Sequence, residues 1–189
     1  MKNITPPHGF RTKVLFLGTN FRLMQTLPRK MQAPLDREVR AIFLKIKRKR
    51  NIAFDSSTVT YSSLLGNKML ITYLIREGVT HTLFHLIQAS TPFSEKDWAD
   101  LLDISLKSLT RYRQNETTFK LTQSEKIMEM AEVTELGLQV FGEMDRFKSW
   151  LDTPSFALGN VKPLELLRDS FGKELIVGEL TRIRYGILA

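Results

Sequence analysis

From Leu64 to the end of the chain, apolar residues recur at steps of three and four and few segments show strand alternation. That period suits helices and not strands, so the body is expected to be all-α. Leu64, Leu65, Met69, Leu70, Tyr73 and Leu74 form one stripe that stops at Gly78, a normal helix terminator. Thr80 can then cap a helix with Leu83, Leu86 and Ile87 inward. Gln123 to about Gly142 reads as a helix that buries Ile127, Met130, Ala131, Leu138 and Phe141, and Met144, Phe147, Trp150 and Leu151 form a shorter face. The chain breaks at Asp152-Thr153-Pro154 and restarts at Pro163, a suitable first helical residue, followed by Leu164, Leu166 and Leu167. Gly172 punctuates, and a last helix with Val177, Leu180 and Ile183 runs to Gly186.

The N-terminal part is different. Periodicity is weak before Arg50, and Pro6, Pro7, Pro28 and Pro34 interrupt whatever starts. The exception is Leu35 to Arg50, where Val39, Ile42, Phe43 and Ile46 fit one amphipathic helix. It ends in a run of Lys45, Lys47, Arg48, Lys49 and Arg50, which can neutralise phosphates or simply be a solvated helix end. Asp55 to Ser63 is polar and reads as a linker. Residues 1 to 50 carry thirteen Lys or Arg against Asp36 and Glu38, while the remainder carries fifteen against eighteen acids. A basic segment on a mildly acidic body suggests a polyanion partner at one end, or a solubilising arm.

With no cysteine, disulfides, thiolate metal sites and cysteine nucleophiles are excluded. No apolar run approaches the ~20 residues of a membrane span, and the N-terminus lacks a secretory signal, so a soluble cytoplasmic protein is expected. His81 and His85 are one turn apart, but only Glu77 could join them, and the pair reads as a surface or core feature rather than a metal site. There is no phosphate-cradling glycine loop, nucleophile elbow or carboxylate pair with clear roles. No enzymatic activity and no cofactor are expected.

Spacing carries functional information first in Glu95 to Gln114. A helix-turn-helix needs two short helices crossing steeply, locked by apolar residues. Trp98 and Leu102 face inward, Ala99 is small where the second helix crosses, Ile104 plugs the turn, and Leu109 and Tyr112 anchor the second helix. Ser94 and Asp97 fit a capping box, and Ser105 can cap the second helix. Asp103 replaces the usual turn glycine, a backbone Asp tolerates. The outward face is then Ser105, Lys107, Ser108, Thr110, Arg111 and Gln114, with no acid between Leu106 and Asn115. Arg and Lys can reach guanine, Gln can reach adenine, and hydroxyls can serve base or phosphate. A plain helical hairpin shares this degenerate pattern, so double-stranded DNA binding is an expectation that rests on the outward residues.

Several C-terminal motifs occur in order: V-F-G at Val140 to Gly142, W-L-D-T-P at Trp150 to Pro154, A-L-G-N at Ala157 to Asn160, K-P-L-E-L-L at Lys162 to Leu167, and L-T-R-I-R-Y-G at Leu180 to Gly186. Together with the preceding helix-turn-helix they resemble the Xre/ParS-like antitoxins, over roughly Leu74 to Ala189. Two departures stand out. Lys162 replaces a small hydroxyl residue that often caps the helix at the proline, and the basic N-terminus matches no motif of the family.

The resemblance implies an Xre-like helix-turn-helix domain over 64–120 and a helical toxin-binding domain over 121–189, and the charge pattern sets a basic N-terminal extension over 1–60 before them, with no fold assigned. It implies a homodimer that binds operator DNA and represses its own operon. It also implies a RES-type toxin as partner, an NAD-degrading enzyme whose active-site entrance the antitoxin covers. Carried to matching positions, Trp150 to Gly159 and Glu179 to Ala189 are the contact surface. Trp150, Pro154, Arg182 and Arg184 are candidates within it, and Tyr185, Ile187, Leu188 and Ala189 are the blocking element. A short apolar tail beyond Gly186 could fill a cleft while Arg182 and Arg184 meet acids at its rim. A core role is preferred for Trp150, Leu180 and Ile183, and a partner role for the tail. The alternative function is a stand-alone transcription regulator or partition factor without a toxin.

Overall fold

A computed structural model of the protein describes residues 27, 29–50, 58–115 and 117–187. All regular elements among them are helices: α1 (Arg29–Arg50), α2 (Tyr61–Leu65), α3 (Lys68–Glu77), α4 (His81–Ala89), α5 (Glu95–Leu101), α6 (Leu106–Asn115), α7 (Leu121–Phe141), α8 (Met144–Asp152), α9 (Pro163–Leu166) and α10 (Ser170–Arg184). The all-α expectation holds for them. A single 3-10 turn, Phe156–Leu158, and one isolated bridge between Ser155 and Val161 complete the pattern.

α7 forms the axis of the molecule. Ser124, Ile127, Met128, Met130, Ala131, Val133, Thr134, Gly137 and Leu138 are all buried along it, too many for one stripe, because α2, α3, α4, α8 and α10 surround it. Its two buried hydroxyls are satisfied locally. Thr134 donates to the Met130 carbonyl at 2.8 Å, and Ser124 donates to the Phe119 carbonyl at 3.1 Å while accepting from the Val79 N–H at 2.9 Å. At its end Gly142 adopts a left-handed φ of 76° and closes the helix onto the Leu138 carbonyl.

The expectation for the chain up to Leu74 needs correction in three places. α1 begins at Arg29, before Leu35, and passes through Pro34, which removes a single backbone bond while buried Leu35, Val39, Ile42, Phe43 and Ile46 hold the helix to the core. The stretch read as a linker from Asp55 to Ser63 lies outside the described residues up to 57 and is already helical from Tyr61. Thr60 and Ser63 form a capping box there, and the Tyr61 N–H donates to Asp36 at 2.7 Å. Finally, the stripe from Leu64 to Leu74 is two helices. Asn67 accepts from the N–H groups of Met69 and Leu70 and starts α3 afresh, so Met69 is exposed and Ile71 is buried in its place.

Gly172 also differs from expectation. It lies inside α10, whose N-cap is Asp169, accepting from the Gly172 N–H at 2.8 Å. A β-carbon at Gly172 would collide with the Leu166 carbonyl, so the glycine permits a close crossing of α9 and α10 and ends nothing.

Candidate functional site

α5 and α6 form the expected pair of short helices. The Ser94 N–H donates to Asp97 at 2.8 Å and the Asp97 N–H donates to the Ser94 hydroxyl at 3.1 Å, so both halves of the capping box are present. Trp98 is fully buried, edge-on to Phe84 and Phe93 at 5.1 and 5.6 Å. Asp103 takes the left-handed φ of 51° at the turn, and the Ile104 N–H donates to the Ala99 carbonyl at 3.0 Å. Ser105 caps α6 by accepting from the Ser108 N–H at 3.1 Å. Leu109 is buried and Tyr112 stacks on Phe119 at 4.2 Å, which fixes which face of α6 turns outward.

That face carries Lys107, Arg111 and Gln114, three to four residues apart, with Thr110 beside them and Ser105 and Ser108 at its start. The hydroxyls are partly committed: Thr110 donates to the Leu106 carbonyl at 3.0 Å, and the Ser105 and Ser108 hydroxyls are hydrogen-bonded to each other at 3.0 Å. A phosphate can only accept, so the donors this helix offers most freely are Lys107, Arg111 and Gln114, all exposed. Arg113, exposed and absent from the sequence-based set, shares a face with Leu106 and not with Arg111. Among the described residues there is no group of three His, Asp or Glu side chains able to hold a metal, and His81 and His85 stack at 6.3 Å.

The C-terminal candidates lie on a second surface. Trp150 is half-buried, 5.6 Å from the Phe141 ring and 6.1 Å from the Phe147 ring, so its main role is to pack α8 on α7, the role preferred for it from sequence. Pro154 is exposed. Beyond it a tight loop is closed by the Ser155 N–H to the Val161 carbonyl at 3.1 Å and by the Asn160 N–H to the Ser155 carbonyl at 2.8 Å. Leu158 plugs this loop into the core and leaves Phe156 87 % exposed. Lys162 makes no side-chain cap for α9, as the missing hydroxyl implied.

On α10, Gly172, Ile176 and Leu180 face the core and place Phe171, 80 % exposed, and Leu175 outside. The sequence-based set omitted these two. With Gly172 taken as a helix stop, Phe171 falls outside the last helix, whereas α10 includes it and turns it and Leu175 to the side away from Ile176 and Leu180. Arg182 pairs with Glu179 at 2.6 Å, and Arg184 donates to Gln139 at 2.9 Å beside the Tyr185 ring. Gly186, with φ of 67°, ends the helix: its N–H donates to the Ile183 carbonyl and the Ile187 N–H donates to the Arg182 carbonyl. This closure holds Tyr185 and Ile187 in place yet 69 % and 60 % exposed. The described residues end at Ile187, so Leu188 and Ala189 of the expected blocking element lie outside them.

α7 and α10 are joined by a charged triad. Lys126 and Lys173 donate to Glu129 at 2.9 and 3.0 Å. Burial alone would raise the Glu129 carboxyl, but the two ammonium groups outweigh it and hold it below the ordinary value.

Compared with known protein families, residues 136–186 match the antitoxin Xre/MbcA/ParS C-terminal toxin-binding domain. The match runs from the last turns of α7 to the cap of α10 and so contains both exposed phenylalanines. The C-terminal region therefore carries a toxin-binding domain of the antitoxin type. A search of curated proteins found no match. No described helix is long and apolar enough to cross a membrane.

Proposed function

We propose that the chain is a non-enzymatic cytoplasmic antitoxin that binds DNA at one surface and a toxin at the other. Its three regions divide the work: an N-terminal extension to about residue 60, a helix-turn-helix domain over 64–120 and a toxin-binding domain over 121–189. As a homodimer it would set two α6 helices in successive major grooves of operator DNA and repress its own operon. Lys107, Arg111 and Gln114 reach base edges, and Ser105, Ser108 and Thr110 line the approach to the backbone. The partner is a RES-type NAD-degrading toxin, whose active-site entrance is covered by Tyr185, Ile187, Leu188 and Ala189. Arg182 and Arg184 meet its acidic rim, and Trp150 and Pro154 support the flank.

One observation carries this reading. Within the matched toxin-binding domain Phe156, Phe171, Leu175 and Tyr185 stand in solvent, and Ile187, one residue past it, joins them. Burying one such side chain is worth about 1.5–3 kcal/mol, so a protein partner gains from covering them.

Co-expression with the product of an adjacent RES-type gene tests it, with cellular NAD as readout. The full chain is expected to preserve NAD. A chain ending at Gly186 is expected to lose protection while still shifting a duplex from upstream of its own gene. Equal protection by the shortened chain would count against the blocking role.

A further inference from the structure

The basic end of α1 has no part in the function proposed above. Lys45, Lys47 and Arg48 are exposed and make no ion pair among the described residues, while Ile46 between them is fully buried and fixes the helix end. No acid occurs from Val39 to Arg50. The two acids earlier in α1 are occupied: Asp36 accepts from the Tyr61 N–H at 2.7 Å, and Glu38 accepts from the Thr80 hydroxyl at 2.9 Å. A helix dipole favours cations in the last turn, but it does not account for an acid-free half of the helix.

The fold brings this cluster towards α6. Lys49 pairs with Glu77 at 3.0 Å. The next residue, Gly78, sits so close to the segment leaving α6 that a β-carbon there would lie 2.9 Å from the Phe119 carbonyl and 3.1 Å from Thr118. The Phe119 N–H donates to the Val79 carbonyl at 2.8 Å. Thr118 follows the last residue of α6, Asn115, closely enough that the chain between them spans at most about 11 Å. The basic end of α1 and the exit from α6 therefore flank one turn, Glu77 to Val79.

We propose that Lys45, Lys47 and Arg48 form a second, sequence-independent contact for the duplex backbone, beside the groove entered by α6. This rests on the reading of α6 as a DNA-binding helix. A duplex repeats its phosphates about every 3.4 Å along each strand, so one seated on α6 presents several of them to a neighbouring cationic helix end. The contact adds affinity and salt dependence but no base preference.

The test uses the full chain and a labelled mixed-sequence duplex, titrated between about 50 and 200 mM salt. Lys45→Gln with Lys47→Gln and Arg48→Gln is expected to flatten the plot of log affinity against log salt by about 2.7, from three lost phosphates at about 0.9 each. Lys45→Arg with Lys47→Arg and Arg48→Lys is expected to keep the wild-type slope. An unchanged slope in the glutamine variant, or an equal loss in the charge-preserving one, overturns the proposal. Arg111→Ala separates it from the reading beneath. That variant should lose preference for the upstream duplex yet keep most of the slope. If Arg111→Ala leaves the preference intact, the reading of α6 falls; a wild-type chain without salt-sensitive duplex affinity overturns both.

Discussion

α6 and α10 are both surface helices with one buried side, yet their outer sides carry opposite chemistry. α6 turns Leu109 and Tyr112 inward and leaves Lys107, Arg111 and Gln114 to solvent, with no acid anywhere along its length. α10 buries Ile176 and Leu180 and still leaves Phe171, Leu175 and Tyr185 outside. Water solvates the first face well, and only a polyanion improves on water there. It solvates Phe171, Leu175 and Tyr185 on the second poorly, so that part of the face gains from an apolar partner, with Glu174, Arg182 and Arg184 exposed around it. The contrast teaches that an amphipathic helix is read by what remains outside once the core is filled.

Mutations can break this contrast at either end. The largest effect is expected from Trp98→Ala, which empties the space between Phe84 and Phe93. A loss of about 4 kcal/mol in a urea titration is expected, with loss of duplex binding. Gly172→Ala should cost about 3 kcal/mol, because the clash is with the Leu166 backbone and cannot be relieved by a side-chain rotation. Phe156→Ser with Phe171→Ser sharpens the comparison further. Stability should stay within about 0.5 kcal/mol, since neither ring is buried, while toxin affinity should fall by about 2 kcal/mol, roughly 30-fold by calorimetry. An unchanged affinity would remove the apolar face from the binding surface. Arg111→Ala should cost about 1.5 kcal/mol, roughly tenfold, for the upstream duplex alone, leaving NAD protection intact.

The smallest effect concerns pH. Glu129 has its carboxyl held below the ordinary 4.5 in the folded chain, so it stabilises fully above that value and this contribution is lost as pH falls through the folded value. Melting temperature should therefore drop on acidification below about pH 4.5. Glu129→Gln should show a shallower drop, and an identical profile would remove the triad as its cause.

Local features were the most legible in the sequence. The Ser94–Asp97 box, the Ser105 cap and the Asp103 turn follow from contacts within a few residues, the inward Trp98, Leu102 and Leu109 follow from helical spacing, and all are present. What escaped depended on distant partners. Tyr61 begins a helix in a polar stretch where the local Thr60–Ser63 box is joined by Asp36, 25 residues earlier, which receives the Tyr61 N–H. Phe171 and Leu175 were missed because the role of Gly172 is set by the carbonyl of Leu166 and not by its neighbours in α10. Phe84 and Phe119, both buried around α5 and α6, were passed over for the same reason.

By itself the sequence determined the helical class, the cap positions and the polar, cationic outer face of α6. These depend on side-chain chemistry at a spacing of three or four, which every stretch of chain carries with it. Only the tertiary structure decided that α7 is enclosed, that α9 and α10 cross at a glycine, and that two phenylalanines are left in solvent. An apolar residue is buried or exposed according to which other element arrives to cover it, and that arrival is a property of the whole packed chain.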